Sequence, residues 1–169
     1  MFRSKAHTLP SACPQYRGGY SDGNTQSEDC LYATVYTPLT VASNANLPVF
    51  VWYVSRPDLK LIHRIHGGSF NSGSATAPGL SGARLAQEGN IIVVVLQYRL
   101  GVLGYLPPSS ARSSKDPNLG VGDVVLALKW LRNSARDFGG YGGRLVVGGQ
   151  SSGAHLIRGT FSDMTVGRG

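Results

Sequence analysis

No stretch of this sequence is apolar for long enough to cross a bilayer. The longest strongly apolar run is residues 91–96, against the roughly 20 residues a spanning helix needs. No charged start followed by an apolar core opens the chain, so no signal peptide is expected. Acidic residues are few, 9 against 16 Lys and Arg, which leaves a formal net charge of +7. Such a balance points to nucleic acid or an anionic surface when the basic residues cluster. Here they are scattered, with no cluster longer than a pair and no aromatic platform between them, so no nucleic-acid partner is expected. No Cys/His group has metal-ligand spacing, which excludes the common zinc sites. The glycine-rich loops lack the Gly-Lys-Ser/Thr ending of a phosphate-binding loop, so neither metal nor cofactor is expected.

Cysteine is scarce as well: Cys13 and Cys30 are the two in the chain. As residues they allow two buried free thiols or one disulfide closing a short loop in a Gly- and Ser-rich segment. If the disulfide forms, a loop of that size contributes roughly 3 kcal/mol in the chain-entropy description and points to an oxidising compartment. A hydrophobic content of 41% and a mean hydropathy of −0.07 describe a globular chain, and 169 residues suffice for one ordinary core.

Residues 1–27 have no usable period and read as loop. Residues 31–37 and 49–52 read as strands, and residues 67–82, with five glycines and four serines, as an irregular loop. A helical turn is expected at 83–87. The β-branched run IIVVVL, 91–96, belongs at the centre of a parallel sheet, and 107–117 is a further loop. Val121, Val124, Val125, Leu128 and Leu131 form one apolar stripe at helical spacing, predicting a helix over 121–138 that Gly139 and Gly140 end. A short strand at 145–147 completes a βαβ unit. The class is α/β.

At the end of that unit stands GQSSG, Gly149, Gln150, Ser151, Ser152 and Gly153. G-x-S-x-G at a strand-to-helix turn is the nucleophile-elbow pattern. The sharp turn lifts the serine hydroxyl above the sheet edge. Residues two positions away must be tiny to avoid the adjoining strand and helix. The N–H of the residue after the serine, Ser152, then faces the place where an oxyanion forms, and the helix N-terminus adds partial positive charge. Upstream, IHGGSF at 65–70 is a glycine-rich loop of the kind that supplies a second set of N–H donors. Its third small residue, Ser69, keeps its N–H but loses some backbone freedom.

The residues resemble those of the type-B carboxylesterase and cholinesterase family of α/β-hydrolases. FGGYGGRLVVGGQSSGA looks like its serine-site signature, and SEDCLYATVYTP is similar to its second one. VVVLQYRLGVLGYL and PNLGVGDVVLALKWLRNSARDFGG are similar to the segments between. The likeness is strongest over 13–52 and 65–158 and implies the N-terminal part of one such domain, with a mostly parallel central sheet flanked by helices. It implies hydrolysis of small carboxylic esters through an acyl-enzyme on Ser151, with an oxyanion hole from Gly68, Ser69 and Ser152. It also implies a Cys13–Cys30 disulfide, a buried Arg99–Asp123 ion pair, and a secretory location.

Several residues depart from the family's pattern. Ala33 and Thr34 follow EDCLY, Gln97 stands where Asn is usual, and Tyr141-Gly142 replaces the common Asp-Pro. Residues 53–64, YVSRPDLKLIHR, interrupt a core strand and the oxyanion loop; without them LPVFVW joins IHGGSF as the family reads. They read as an unremoved intron or a gene-model error, with a tolerated surface loop as the alternative. A serine nucleophile also needs a base and an acid to orient it, which the family supplies far downstream of its elbow. His66 belongs to the oxyanion loop through its backbone, and His155 is expected to point along its helix, away from the hydroxyl. His7 and His63 lie in the opening loop and the insertion. None of the four is expected to be the base. The alternatives are an inactive truncated remnant and a non-catalytic cholinesterase-like binding domain; an intact Ser151 argues against the latter.

Overall fold

The computed structural model describes residues 9–16, 25–41, 45–51, 66–77, 79–106, 118–149 and 151–166. The insertion at 53–64 and the expected loop at 107–117 lie outside them. Among the described residues, four strands and four helices follow in order: β1 Ala33–Tyr36, β2 Leu47–Val51, α1 Ala83–Gly89, β3 Ile92–Leu96, α2 Gly101–Tyr105, α3 Leu119–Ser134, β4 Gly140–Val147 and α4 Ser152–Val166. A 3-10 turn, Ala135–Phe138, extends α3.

The strands make one sheet in the order β1-β3-β2-β4. β2 runs parallel to both β3 and β4, while β1 is antiparallel to β3, with Ala33 opposite Leu96. All five residues of β3 are buried, as a β-branched run covered on both faces requires. It is interior as its sequence predicts, although one neighbour is antiparallel. The unit β3–α3–β4 differs from a simple βαβ: its two strands are not neighbours, because β2 lies between them. Pro48 is tolerated because β2 begins pairing with β3 only at Val49.

Ile92, Val94 and Leu96 share a core with Val124, Leu128 and Leu131 of α3 and Leu156 of α4. Each such side chain contributes about 2 kcal/mol by leaving water. The other face of β3 is closed by the approach to α1, where a Cβ on Gly82 would lie 2.6 Å from Val93 and 2.8 Å from Tyr36.

Several element boundaries differ from the expected ones, and those of α3 and β4 have a visible cause. The α-helical part of α3 begins at Leu119, because Asn118 caps it by accepting the Val121 N–H at 3.2 Å. It gives way after Ser134 to the 3-10 turn, which Gly139 closes at φ 81°. β4 starts five residues before the apolar triplet 145–147. Gly140 and Tyr141 pair with Leu47 and Pro48, and the ladder then jumps to Val49–Leu145. Residues 142–144 bulge out, and a Cβ on Gly142 would meet the Arg132 carbonyl oxygen at 2.1 Å. α2, with no period to betray it in five residues, was not predicted.

Near the N-terminus, Cys13 and Cys30 form a disulfide and are fully buried. Ala12 also bridges to Gln26. Past β3, the Asp123 carboxylate on α3 accepts the Arg99 backbone N–H at 3.1 Å, its Nε–H at 2.8 Å and its Nη2–H at 2.6 Å. Asp123 is buried and Arg99 about one third exposed. Removing the carboxylate strands a partly desolvated cation and a backbone donor. Asp123→Ala is therefore expected to destabilise the fold by about 2 kcal/mol, read as a lower urea midpoint at unchanged slope.

Candidate active site

β4 delivers the chain to Gly148 and Gly149, and α4 begins at Ser152. Between them Ser151 sits at φ 54°, a left-handed conformation that costs a non-glycine residue about 1 kcal/mol. Gly149 leaves no room for a side chain: a Cβ there would lie 2.5 Å from the Ile157 Cδ1 and 2.8 Å from the Ala154 nitrogen. Ser151 is exposed, whereas Ser152 and Gly153 are buried. The Ser151 carbonyl accepts both the His155 N–H at 3.2 Å and the His155 ring Nδ1–H at 2.9 Å. The imidazole thus turns back onto the Ser151 backbone. No hydrogen bond joins it to the hydroxyl among the described residues.

The glycine-rich loop carries three successive positive φ values: Gly68 at 113°, Ser69 at 53° and Phe70 at 64°. Its turn closes on the Gly68 carbonyl, which accepts the N–H of Asn71 at 2.9 Å and of Ser72 at 3.0 Å. A Cβ on Gly68 would strike the Ser72 carbonyl oxygen at 2.1 Å. The Phe70 ring meets Tyr105 edge-on at 5.0 Å and His155 at 6.4 Å. That second contact brings the loop beside the first turn of α4.

His66 enters the loop with its ring stacked on Tyr98, centroids 4.6 Å apart. The Tyr98 hydroxyl donates to the His66 carbonyl at 2.8 Å. His66 Nδ1–H donates to the Gly67 carbonyl at 3.2 Å, and Nε2 is buried without a partner. Burial pushes the imidazole down to about 4, outweighing its hydrogen bonds to the backbone of Gly67 and Ser72. His66 is a neutral structural ring at pH 7. His7 and His63 lie outside the described residues.

Two glutamines that the motifs did not single out for this site also hold the loop. Gln97 accepts the Ala75 N–H at 2.6 Å, and its buried amide nitrogen has no partner. Gln15 bonds both backbone groups of Gly73, each at 2.7 Å. Neither contact has a local sequence signal, since each joins residues 22 or 58 positions apart.

The profile of the carboxylesterase family matches residues 3–165. The chain belongs to the carboxylesterase family. That match is wider at both ends than the 13–158 over which the motifs are legible. Among curated relatives, the para-nitrobenzyl esterase of Bacillus subtilis (strain 168) is 41% identical over 151 residues, covering 87% of this chain and 28% of the relative. Acetylcholinesterase 1 of Caenorhabditis briggsae is 35% identical over 162 residues, covering 90% and 24%. A solved thermophilic PNB esterase superposes with a TM-score of 0.72 at 38% identity, over 89% of this chain and 29% of that one. The fold is thus that of a carboxylesterase, and the chain spans less than a third of the length of these relatives.

His66 makes the stability of this carboxylesterase segment depend on pH. Its ordinary value is 6.5 and its folded value about 4, so the unfolded chain binds the extra proton between them. Stability is full above pH 6.5 and declines as pH falls toward 4, by about 1.4 kcal/mol per pH unit. In a histidine NMR titration the His66 ring is expected to remain neutral at pH 5; a midpoint near 6.5 would refute its burial.

Proposed function

We propose that the complete protein to which this chain belongs hydrolyses carboxylic esters, with Ser151 as the nucleophile. The observation that carries the reading is the backbone of Ser151: an exposed serine at φ 54°, between a strand and a helix, beside a Gly149 that admits no Cβ. The names of the relatives, esterases acting on several kinds of ester, support the same class.

In this reading the Ser151 Oγ attacks the ester carbonyl carbon and gives up its proton to a base. The carbonyl oxygen takes the negative charge. The N–H groups of Gly68, Ser69 and Ser152 receive it, each such donor contributing about 3 kcal/mol to the transition state. Collapse expels the alcohol, which takes the proton from the base, and leaves Ser151 acylated. Water then repeats the sequence and releases the acid. Neither described histidine suits the role of base: His66 is buried on Tyr98, and the His155 Nδ1–H is engaged by the Ser151 carbonyl. Base and acid come from chain beyond residue 169, in the order serine, acid, histidine that the elbow pattern accompanies. Residues 1–169 are then part of one α/β-hydrolase domain. The Cys13–Cys30 disulfide supports folding in an oxidising compartment.

The test uses protein expressed from the complete transcript. A fluorophosphonate probe is expected to label Ser151 and abolish ester turnover. Ser151→Ala should lose labelling and about 10⁶-fold in kcat, as when triad nucleophiles are removed. Absence of labelling in the unaltered protein would sink the reading.

A further inference from the structure

Three consecutive residues at positive φ, two of them non-glycine, do not hold themselves in place. Among the described residues, hydrogen bonds from outside hold the loop 66–73 at three points. The Tyr98 hydroxyl bonds the His66 carbonyl at 2.8 Å, and the Gly101 N–H bonds the Phe70 carbonyl at 2.7 Å. Both come from the segment that leaves β3. The third holder comes from 58 residues upstream. Gln15 Oε1 accepts the Gly73 N–H at 2.7 Å, and Gln15 Nε2–H donates to the Gly73 carbonyl at 2.7 Å. One side-chain amide thus pairs with a backbone residue through both donor and acceptor. The same Nε2 donates to the Cys13 carbonyl at 3.1 Å, and the Gln15 backbone N–H donates to Gln26 Oε1 at 3.0 Å. The amide is fixed from behind by the segment that the Cys13–Cys30 disulfide closes.

Gly73 cannot shift freely. At φ 115° it lies under the His66 ring, where even a Cβ would be 2.3 Å from Nδ1. Its position therefore sets the return of the loop that carries Gly68 and Ser69. We propose that Gln15 is a positioning residue for the oxyanion loop, and that the disulfide-closed segment serves to present it. The proposal rests on the ester-hydrolase reading for its effect on turnover, but the clamp itself does not.

Gln15→Ala in protein from the complete transcript tests it, with turnover expressed per titrated active site. Backbone hydrogen exchange over 67–73 is expected to accelerate. The kcat should fall about tenfold, the order expected for a sub-ångström misplacement, with KM within about twofold. Affinity for a trifluoromethyl ketone, which mimics the tetrahedral intermediate, should fall with kcat/KM. Gln15→Glu keeps the acceptor for the Gly73 N–H and should recover part of the loss. It also supplies the comparison where the alanine variant does not fold. Unchanged exchange overturns the clamp, including in a protein without turnover. Faster exchange with unchanged kcat per site overturns the positioning role and leaves Gln15 as a structural residue. An unaltered protein with no turnover refutes the ester reading instead, and exchange still decides the clamp.

Discussion

The tail of β3 is the fixed point on which the rest of the site depends. The strand is buried on both faces, so the residues leaving it emerge from a rigid base. The residues that follow grip two segments, the glycine-rich loop and α3. Gln97 takes the Ala75 N–H, Tyr98 the His66 carbonyl, Arg99 the Asp123 carboxylate and Gly101 the Phe70 carbonyl. Within five residues the chain ties the glycine-rich loop at several points and fastens α3 to the sheet. Loosening β3 would release all of these contacts together, so their energies should not add as independent terms.

Backbone strain is concentrated where that support is greatest. Ser69, Phe70 and Ser151 all adopt positive φ without being glycine, at about 1 kcal/mol each. Such conformations persist only where surrounding contacts over-determine them. The loop has its external partners, and Ser151 has the first turn of α4, whose His155 bonds its carbonyl twice. The polar satisfaction is incomplete, since His66 Nε2 and the Gln97 amide nitrogen are buried without partners. Both side chains serve the loop through another atom or through the backbone, and the orphaned nitrogens are the cost of that placement.

Local patterns made part of this legible in the sequence. The stripe from Val121 to Leu131 marked α3, because its buried face repeats at helical spacing. The run at 91–96 marked an interior strand, because only burial on both faces tolerates six apolar residues in succession. Ser151 stood out through its glycines, and the structure gives Gly149 a reason in the Ile157 and Ala154 atoms that crowd it. What the pattern could not carry was anything set by a distant partner. β4 is longer than its apolar triplet because Leu47 and Pro48 pair with Gly140 and Tyr141 across a bulge. The placement of β2 between β3 and β4 is a fact of topology, with no trace in either strand. Gln15 looks like any polar residue in an irregular loop until Gly73 is folded against it.

The order of the strands also governs how the chain can fold as it is made. Among the described residues, β1 pairs with β3, and β2 with β3 and β4. β1 and β2, the earlier two of these four strands, are therefore not partners of each other. None of these three ladders can close until residues 92–96 have left the ribosome, and the β2–β4 ladder waits for residue 147. Until then β1 and β2 lack these partners on the nascent chain, and exposed strand edges are where misassociation competes with folding. The Cys13–Cys30 disulfide lies wholly upstream of β1 and needs none of these ladders, so the small ring it closes can form before they do.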